Sequence, residues 1–319
     1  MRVWQKIMIS LARSEDLKNF IQSRKSMSDL ATRFVGGKAV EEVIEKSKKL
    51  KSGNINCSLY YLGEYINDQS KINQTVSALK EIMKRLAESN LDIHISVDPT
   101  QIGYLINKIN CSDNILELAC RLKDYAASAN KSSKNFLMLD MEDSSNIDFT
   151  LELYNKLKSE SYPAAVTLQS YLYRTGKDLE TILQIGGAVR LVKGAFTESK
   201  KIAFTSRTFI DNNYLKLAEM MLSDNARTKG FYPIFGTHDD KLIARIIETA
   251  KNNGWEKGSY EFELLYGVRT GLQNELMKNG ENLRLYLPFG VDWWPYAIRR
   301  IGESSKNSKF LFRSLFKGV

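Results

Sequence analysis

Eight short runs rich in β-branched and aromatic residues recur along this chain, with helical patterning between them. They occupy residues 57–63, 92–98, 135–141, 164–169, 187–194, 232–238, 260–267 and 283–290; three end in a polar or charged side chain (Asp98, Gln169, His238) and four in glycine. Parallel neighbours need a long crossover, so alternating strand and helix builds a parallel sheet. Eight such units close naturally into a TIM-like (β/α)8 barrel. That fold gathers its chemistry at the C-terminal ends of the strands, so the residues ending each run are the first candidates for function.

At 319 residues the chain is longer than the ~250 typical of such a barrel. The excess precedes the first run. Residues 1–56 read as an N-terminal helical extension rich in Lys, Glu and Ser, and residues 57–319 as the barrel. No apolar stretch approaches the ~18 residues of a membrane helix, and charge interrupts the first segment too soon for a signal peptide. Three cysteines without CxxC spacing (Cys57, Cys111, Cys120) fit reduced thiols and a cytoplasmic protein.

The formal charge is +9, yet the cations are scattered among acids and offer no aromatic–basic platform for nucleic acid. The C-terminal segment 304–319 differs. There Phe310, Leu311, Phe312, Leu315 and Phe316 interleave with Lys309, Arg313 and Lys317. It reads as a last helix packing on the barrel or as a basic amphipathic segment lying on the inner membrane surface.

Metal chemistry finds little support, because the two histidines, His94 and His238, have no His or Cys at ligand spacing. No nucleophile elbow, GxGxxG fingerprint or Walker loop is present. RLVKGA, residues 190–195, instead ends the fifth run with two cations, a glycine and free amides, which suit a phosphate or an electron-rich ring atom. Asp140 ends the third run and is expected to pair with Arg190 or Lys193 across the barrel. Such a pair serves either as a brace or in catalysis.

The last run and its sequel, residues 283–303, carry the most. Pro288 and Gly290 break the strand, Asp292 can cap the next helix, and Pro295 fits its first turn. Arg299 and Arg300 follow. Adjacent helical residues point ~100° apart, so both reach one anion only if the helix lies across the barrel mouth. A carboxylate is the smallest partner for two guanidinium forks. Glu303, four residues after Arg299, could hold that arginine by an i,i+4 pair.

These strand ends resemble those of proline dehydrogenase, the flavoenzyme family that oxidises L-proline. The resemblance rests on LDMED (139–143), LQSYLYRT (168–175), RLVKGA (190–195), THD (237–239), LYGVR (265–269) and LPFGVDWWPYAIRRIGE (287–303), in the family's order. RFVGG at 33–37 is similar to the family's RFVAG. The resemblance implies a distorted (β/α)8 barrel with non-covalent FAD at the strand C-termini. Gln169, Lys193, Gly194, Ala195, Thr237 and His238 would hold the FAD, with Met141 beside its ring. Arg190 would approach flavin N5, where negative charge grows as hydride arrives. Arg299 and Arg300 would clamp the substrate carboxylate, Tyr286 would wall the site, Glu303 would support the arginines, and Asp140 would orient the network. The implied reaction moves a hydride from the ring carbon beside nitrogen to the flavin, giving pyrroline-5-carboxylate, with a quinone or oxygen as electron acceptor.

The chain departs from the family pattern at the substrate end. Asp98 stands where the family has a carboxylate-binding lysine, Glu263 where it has glutamine, and Phe196 where it has tyrosine. Exchanging +1 for −1 at ~4 Å from an anion shifts the local interaction by several kcal/mol. One expectation is therefore a related flavoenzyme acting on another amine or amino acid, with an added positive group. A plainer one has Asp98 paired with Arg299 or Arg300.

Overall fold

The computed structural model describes residues 33–127 and 133–303. In chain order, helix α1 (Val40–Ser52) precedes strand β1 (Asn56–Tyr61), then α2 (Gln69–Glu88), β2 (His94–Val97), a 3-10 turn (Pro99–Gln101), α3 (Lys108–Ala127) and β3 (Phe136–Leu139). α4 (Ile147–Ser159), β4 (Ala164–Gln169), α5 (Thr175–Gln184), β5 (Ala188–Val192), α6 (Arg207–Met221) and the short α7 (Asp224–Thr228) follow. The chain continues through β6 (Tyr232–Gly236), α8 (Asp240–Asn252), β7 (Glu261–Leu265), α9 (Thr270–Lys278) and β8 (Leu283–Phe289) to α10 (Trp293–Glu303).

Every strand pairs in parallel with its sequence neighbour, and β8 returns to β1 over six residue pairs from Asn56–Arg284 to Tyr61–Phe289. The barrel is closed, as the eight runs predict. Of the N-terminal extension, residues 1–32 lie outside the described residues, as does the basic segment 304–319. α1 packs on β1 and β8. The RFVGG segment runs beside the end of β8, where the Gly36 amide donates to the Pro288 carbonyl (2.7 Å) and the Gly290 amide to that of Gly37 (3.0 Å).

The helices form where local rules agree. Asp68 caps α2 by accepting from the Lys71 amide, and Ile72, Val76, Leu79, Met83 and Leu86 then fall on one buried face. Asp239 caps α8 in the same way from the Lys241 amide. No described helix is long and apolar enough to cross a membrane.

Strand residues alternate between the helices and the barrel interior. Leu59, Val97, Leu139, Val166 and Leu191 face outward into the main apolar core. The inward set is unusually polar. Towards the N-terminal ends of the strands, the fully buried Arg284 is held by Glu261 (2.6 Å), Asp92 (2.8 Å) and the Cys57 carbonyl (2.8 Å). Burial opposes the arginine's charge, and these acids restore it, raising its pKa. A second buried arginine, Arg190, lies one turn of the pleat nearer the other end and belongs to the candidate site.

Candidate active site

Arg190 bonds to groups from four other strands, which places it at the centre of the barrel mouth. It pairs with Asp140 beyond β3 and with Glu263 of β7 (2.6 Å), and donates to Thr167 Oγ1 of β4 (3.1 Å) and Ser96 Oγ of β2 (2.9 Å). Burial disfavours the guanidinium charge, but Asp140 and Glu263 outweigh it and raise the pKa of Arg190. Asp140 also accepts from Thr167 Oγ1 (2.8 Å) and from the Tyr286 hydroxyl (3.1 Å). The Tyr286 ring lies beneath the Arg190 guanidinium, 5.1 Å from its centroid. Of the two partners expected for Asp140, Arg190 is the one it takes. Lys193 turns instead to Asp211 (2.5 Å) and Asp239 (3.0 Å). Burial opposes ionisation of Asp239, yet the Lys193 and Arg207 contacts take its pKa down to about 2.

Tyr286 continues the wall. Its ring stacks on Tyr60 of β1 (5.7 Å), whose hydroxyl donates to Asp98 at 2.6 Å. Asp98 ends β2 with only 9% of its surface exposed. Its described partner is this tyrosine, not Arg299 or Arg300, so the expected Asp98–arginine pair is replaced by a tyrosine contact. The physical reason is that another acid has taken Arg299. Burial raises the Asp98 pKa well above the usual carboxylate range, and Glu142, Asp140 and Glu64 push the same way.

Arg299 forms a bidentate pair with Glu64, just beyond β1 (3.0 and 2.5 Å). Arg300 lies over the Tyr296 ring, 5.2 Å from its centroid, and its charge helps lower the pKa of His238 beyond β6. The two arginines thus face opposite rims, one towards β1 and the other towards β6. α10 links to the loop after β1 through Arg299 and acts on the segment after β6 through the charge of Arg300. The Glu303 side chain lies outside the described residues, and the acid that holds Arg299 is Glu64. That residue escapes a reading of local spacing because the pair joins opposite ends of the chain. Its signal is positional: it is the first charge after the first run, as Asp98 and Asp140 are after theirs.

The remaining candidates line one side of the mouth. Gln169 ends β4, buried, and its amide donates to the Met141 (3.3 Å) and Glu142 (3.1 Å) carbonyls, which leaves the buried Oε1 without a partner. Gly194 adopts φ +107°, and a Cβ there would run into the Tyr171 ring. Only glycine allows the chain this turn. Met141 and Thr237 are buried and Ala195 is exposed. His238 Nε2 accepts from the Leu265 amide (3.1 Å). Burial lowers its pKa to about 4, with Arg300 and Arg269 adding to the effect. At neutral pH it is uncharged, with its proton on Nδ1. An unspent amide oxygen, a glycine cradle and a neutral histidine N–H suit a polar, anionic cofactor such as a flavin dinucleotide.

The sequence pattern of proline dehydrogenases matches residues 43–313. The chain belongs to the proline dehydrogenase family. Proline dehydrogenase 2 of Bacillus subtilis is 30% identical over 287 residues, 90% of each chain. The proline dehydrogenase of Deinococcus radiodurans is 29% identical over 323 residues, 99% of each. Among solved structures, proline utilization A of Bdellovibrio bacteriovorus, inactivated by N-propargylglycine, superposes with a TM-score of 0.77 at 19% identity. That match covers 98% of this chain and 38% of the larger protein. As a member of this flavin-dependent family, the chain is an oxidoreductase acting on CH–NH donors.

Proposed function

We infer that the protein binds FAD at the strand C-termini and oxidises L-proline to pyrroline-5-carboxylate. The observation that carries this reading is the joining of Asp140, Arg190 and Tyr286 into one bonded wall beneath a helix that spreads Arg299 and Arg300 across the mouth. FAD would be held by Gln169, Lys193, Gly194, Ala195, Thr237 and His238, with Met141 beside its ring. The bound flavin would supply a two-electron acceptor for the hydride lost from the ring carbon next to nitrogen as that C–N bond becomes C=N.

The chain's own residues supply position and field. Arg299 and Arg300 bind the carboxylate, Tyr286 sets the depth at which the ring can sit, and Asp140 fixes both Tyr286 and Arg190. Arg190, fully cationic in its buried site, faces the place where negative charge accumulates. Burial and the neighbouring acids Glu142, Asp140 and Glu64 raise the Asp98 pKa, which weakens its opposition to a carboxylate placed beside it. Electrons leave to a quinone or to oxygen.

The test is turnover of the purified, FAD-loaded protein on L-proline with an artificial acceptor, with the cyclic imine trapped by o-aminobenzaldehyde. Trapped imine with wild type and at least a hundredfold rise in KM for Arg300→Met support the reading. Imine-free reactions in the presence of bound flavin refute it.

A further inference from the structure

Two carboxylates share Arg190, the partly exposed Asp140 and the buried Glu263, and the second does more than brace it. The guanidinium is matched by Asp140 alone in charge, so Glu263 adds one negative charge beyond balance. Glu263 Oε1 already receives both local donors, Arg190 Nη1 at 2.6 Å and Ser58 Oγ at 2.5 Å. Its other oxygen, Oε2, is buried and accepts no hydrogen bond among the described residues. With 4% of the residue exposed, water does little to spread that charge. Glutamine could keep its carbonyl oxygen as acceptor for both donors, removing the charge and placing an NH2 group where Oε2 now lies.

We propose that Glu263 is a positioning residue that lowers the electron affinity of the bound flavin by offsetting the charge of Arg190. The inference rests on the reading that a flavin lies against Arg190. A flavin gaining electrons gains negative charge, so an uncompensated carboxylate beside its cationic neighbour disfavours the reduced form. Glu263 thus shifts the balance of the two half-reactions. Taking hydride from substrate loses driving force, and passing electrons to the acceptor gains the same amount. Ser58 moderates the effect by donating to the same carboxylate.

The experiment compares sulfite binding to the oxidised flavin, and the flavin midpoint potential from dye-equilibrated anaerobic titration, in wild type, Glu263→Gln and Glu263→Asp holoenzymes. Sulfite is an anion that binds more tightly as a flavin becomes more electron-poor. Glu263→Gln is expected to tighten sulfite at least threefold and raise the potential, with Glu263→Asp within twofold of wild type. An unmoved Glu263→Gln overturns the proposal, and so does a Glu263→Asp that shifts as far as the glutamine variant, since geometry would then be the cause. If Glu263→Gln gives no folded holoenzyme, Ser58→Ala decides: weaker sulfite binding supports the charge effect, and unchanged or tighter binding overturns it. A protein that stays colourless after incubation with FAD refutes the flavin reading and this proposal together. A yellow protein with unmoved sulfite affinity refutes only the role of Glu263.

Discussion

Arg299 and Glu64 form a two-point ion pair between residues 235 positions apart, joining the helix after the last strand to the loop after the first. The pair lies at the rim with about a third of each side chain exposed, 35% for Arg299 and 31% for Glu64. Exposed pairs contribute little to stability, so Glu64→Gln should cost below about 1 kcal/mol in chemical denaturation. The effect belongs in substrate binding. Without its acid, Arg299 samples other rotamers, and KM for L-proline should rise several-fold with a smaller change in kcat. Unchanged KM in steady-state assays would contradict this role.

Asp98 stands under Tyr60 as a buried acid with no cationic partner described. If it is held neutral, an amide is nearly equivalent. Asp98→Asn should therefore change KM for L-proline by less than about threefold, within about 1 kcal/mol. Asp98→Lys restores a cation beside the carboxylate and should lower KM at least tenfold if the Tyr60 contact can yield. A large loss in Asp98→Asn, with activity appearing on an amine that carries a second positive group, would show that the carboxylate acts ionised.

Gln169 presents one buried, unpartnered oxygen beside two donated amide hydrogen bonds. Truncation to alanine removes an acceptor for the cofactor and leaves two carbonyls unpaired, a loss of about 1–3 kcal/mol. Flavin released on dilution of Gln169→Ala should indicate a dissociation constant roughly ten to a hundredfold weaker. Equal retention, read by fluorescence of freed flavin, would remove Gln169 from the cofactor site.

Glu142 lies buried beneath the turn after β2, accepting from the Thr100 hydroxyl (2.5 Å), the Thr100 amide (3.0 Å) and Asn146 (3.0 Å). Burial raises its pKa from 4.5 to about 7, with the Thr100 hydrogen bonds opposing the shift and Glu64 and Asp143 adding to it. The folded protein thus holds this proton more tightly than the unfolded chain. The contribution is complete below pH 4.5 and is lost as pH rises to about 7, on the order of 3 kcal/mol across that window. Glu142→Gln should flatten this segment of the profile of unfolding free energy against pH. A wild-type profile that rises between those values, and is unaltered by the substitution, would contradict the assignment.

The eight strands are legible in the sequence because each inherits a short apolar run from the barrel's geometry, and β4 (Ala164–Gln169) coincides with its run. Asp140, Arg190, Gln169 and the two helix arginines are legible as strand-end or helix-mouth chemistry. Glu64, Tyr60 and Ser58 are not. They come from β1 and its loop: Arg299 and Glu263 reach Glu64 and Ser58 only when the last strands close on β1, while Asp98 reaches Tyr60 through the pairing of β2 with β1. Local spacing instead favours Glu303 for Arg299, a pairing within one helix that ignores closure. Glu263 is legible as a departure, but its contact with Arg190 depends on inward side chains of β5 and β7 meeting over the intervening β6.

The most direct measurement of the central claim is an anaerobic titration of the purified, FAD-loaded protein with L-proline, followed in the visible spectrum. The account predicts a flavin spectrum that bleaches at millimolar proline and recovers when an acceptor is admitted. A spectrum that keeps its yellow absorbance under saturating L-proline, in a protein shown to hold FAD, would contradict it.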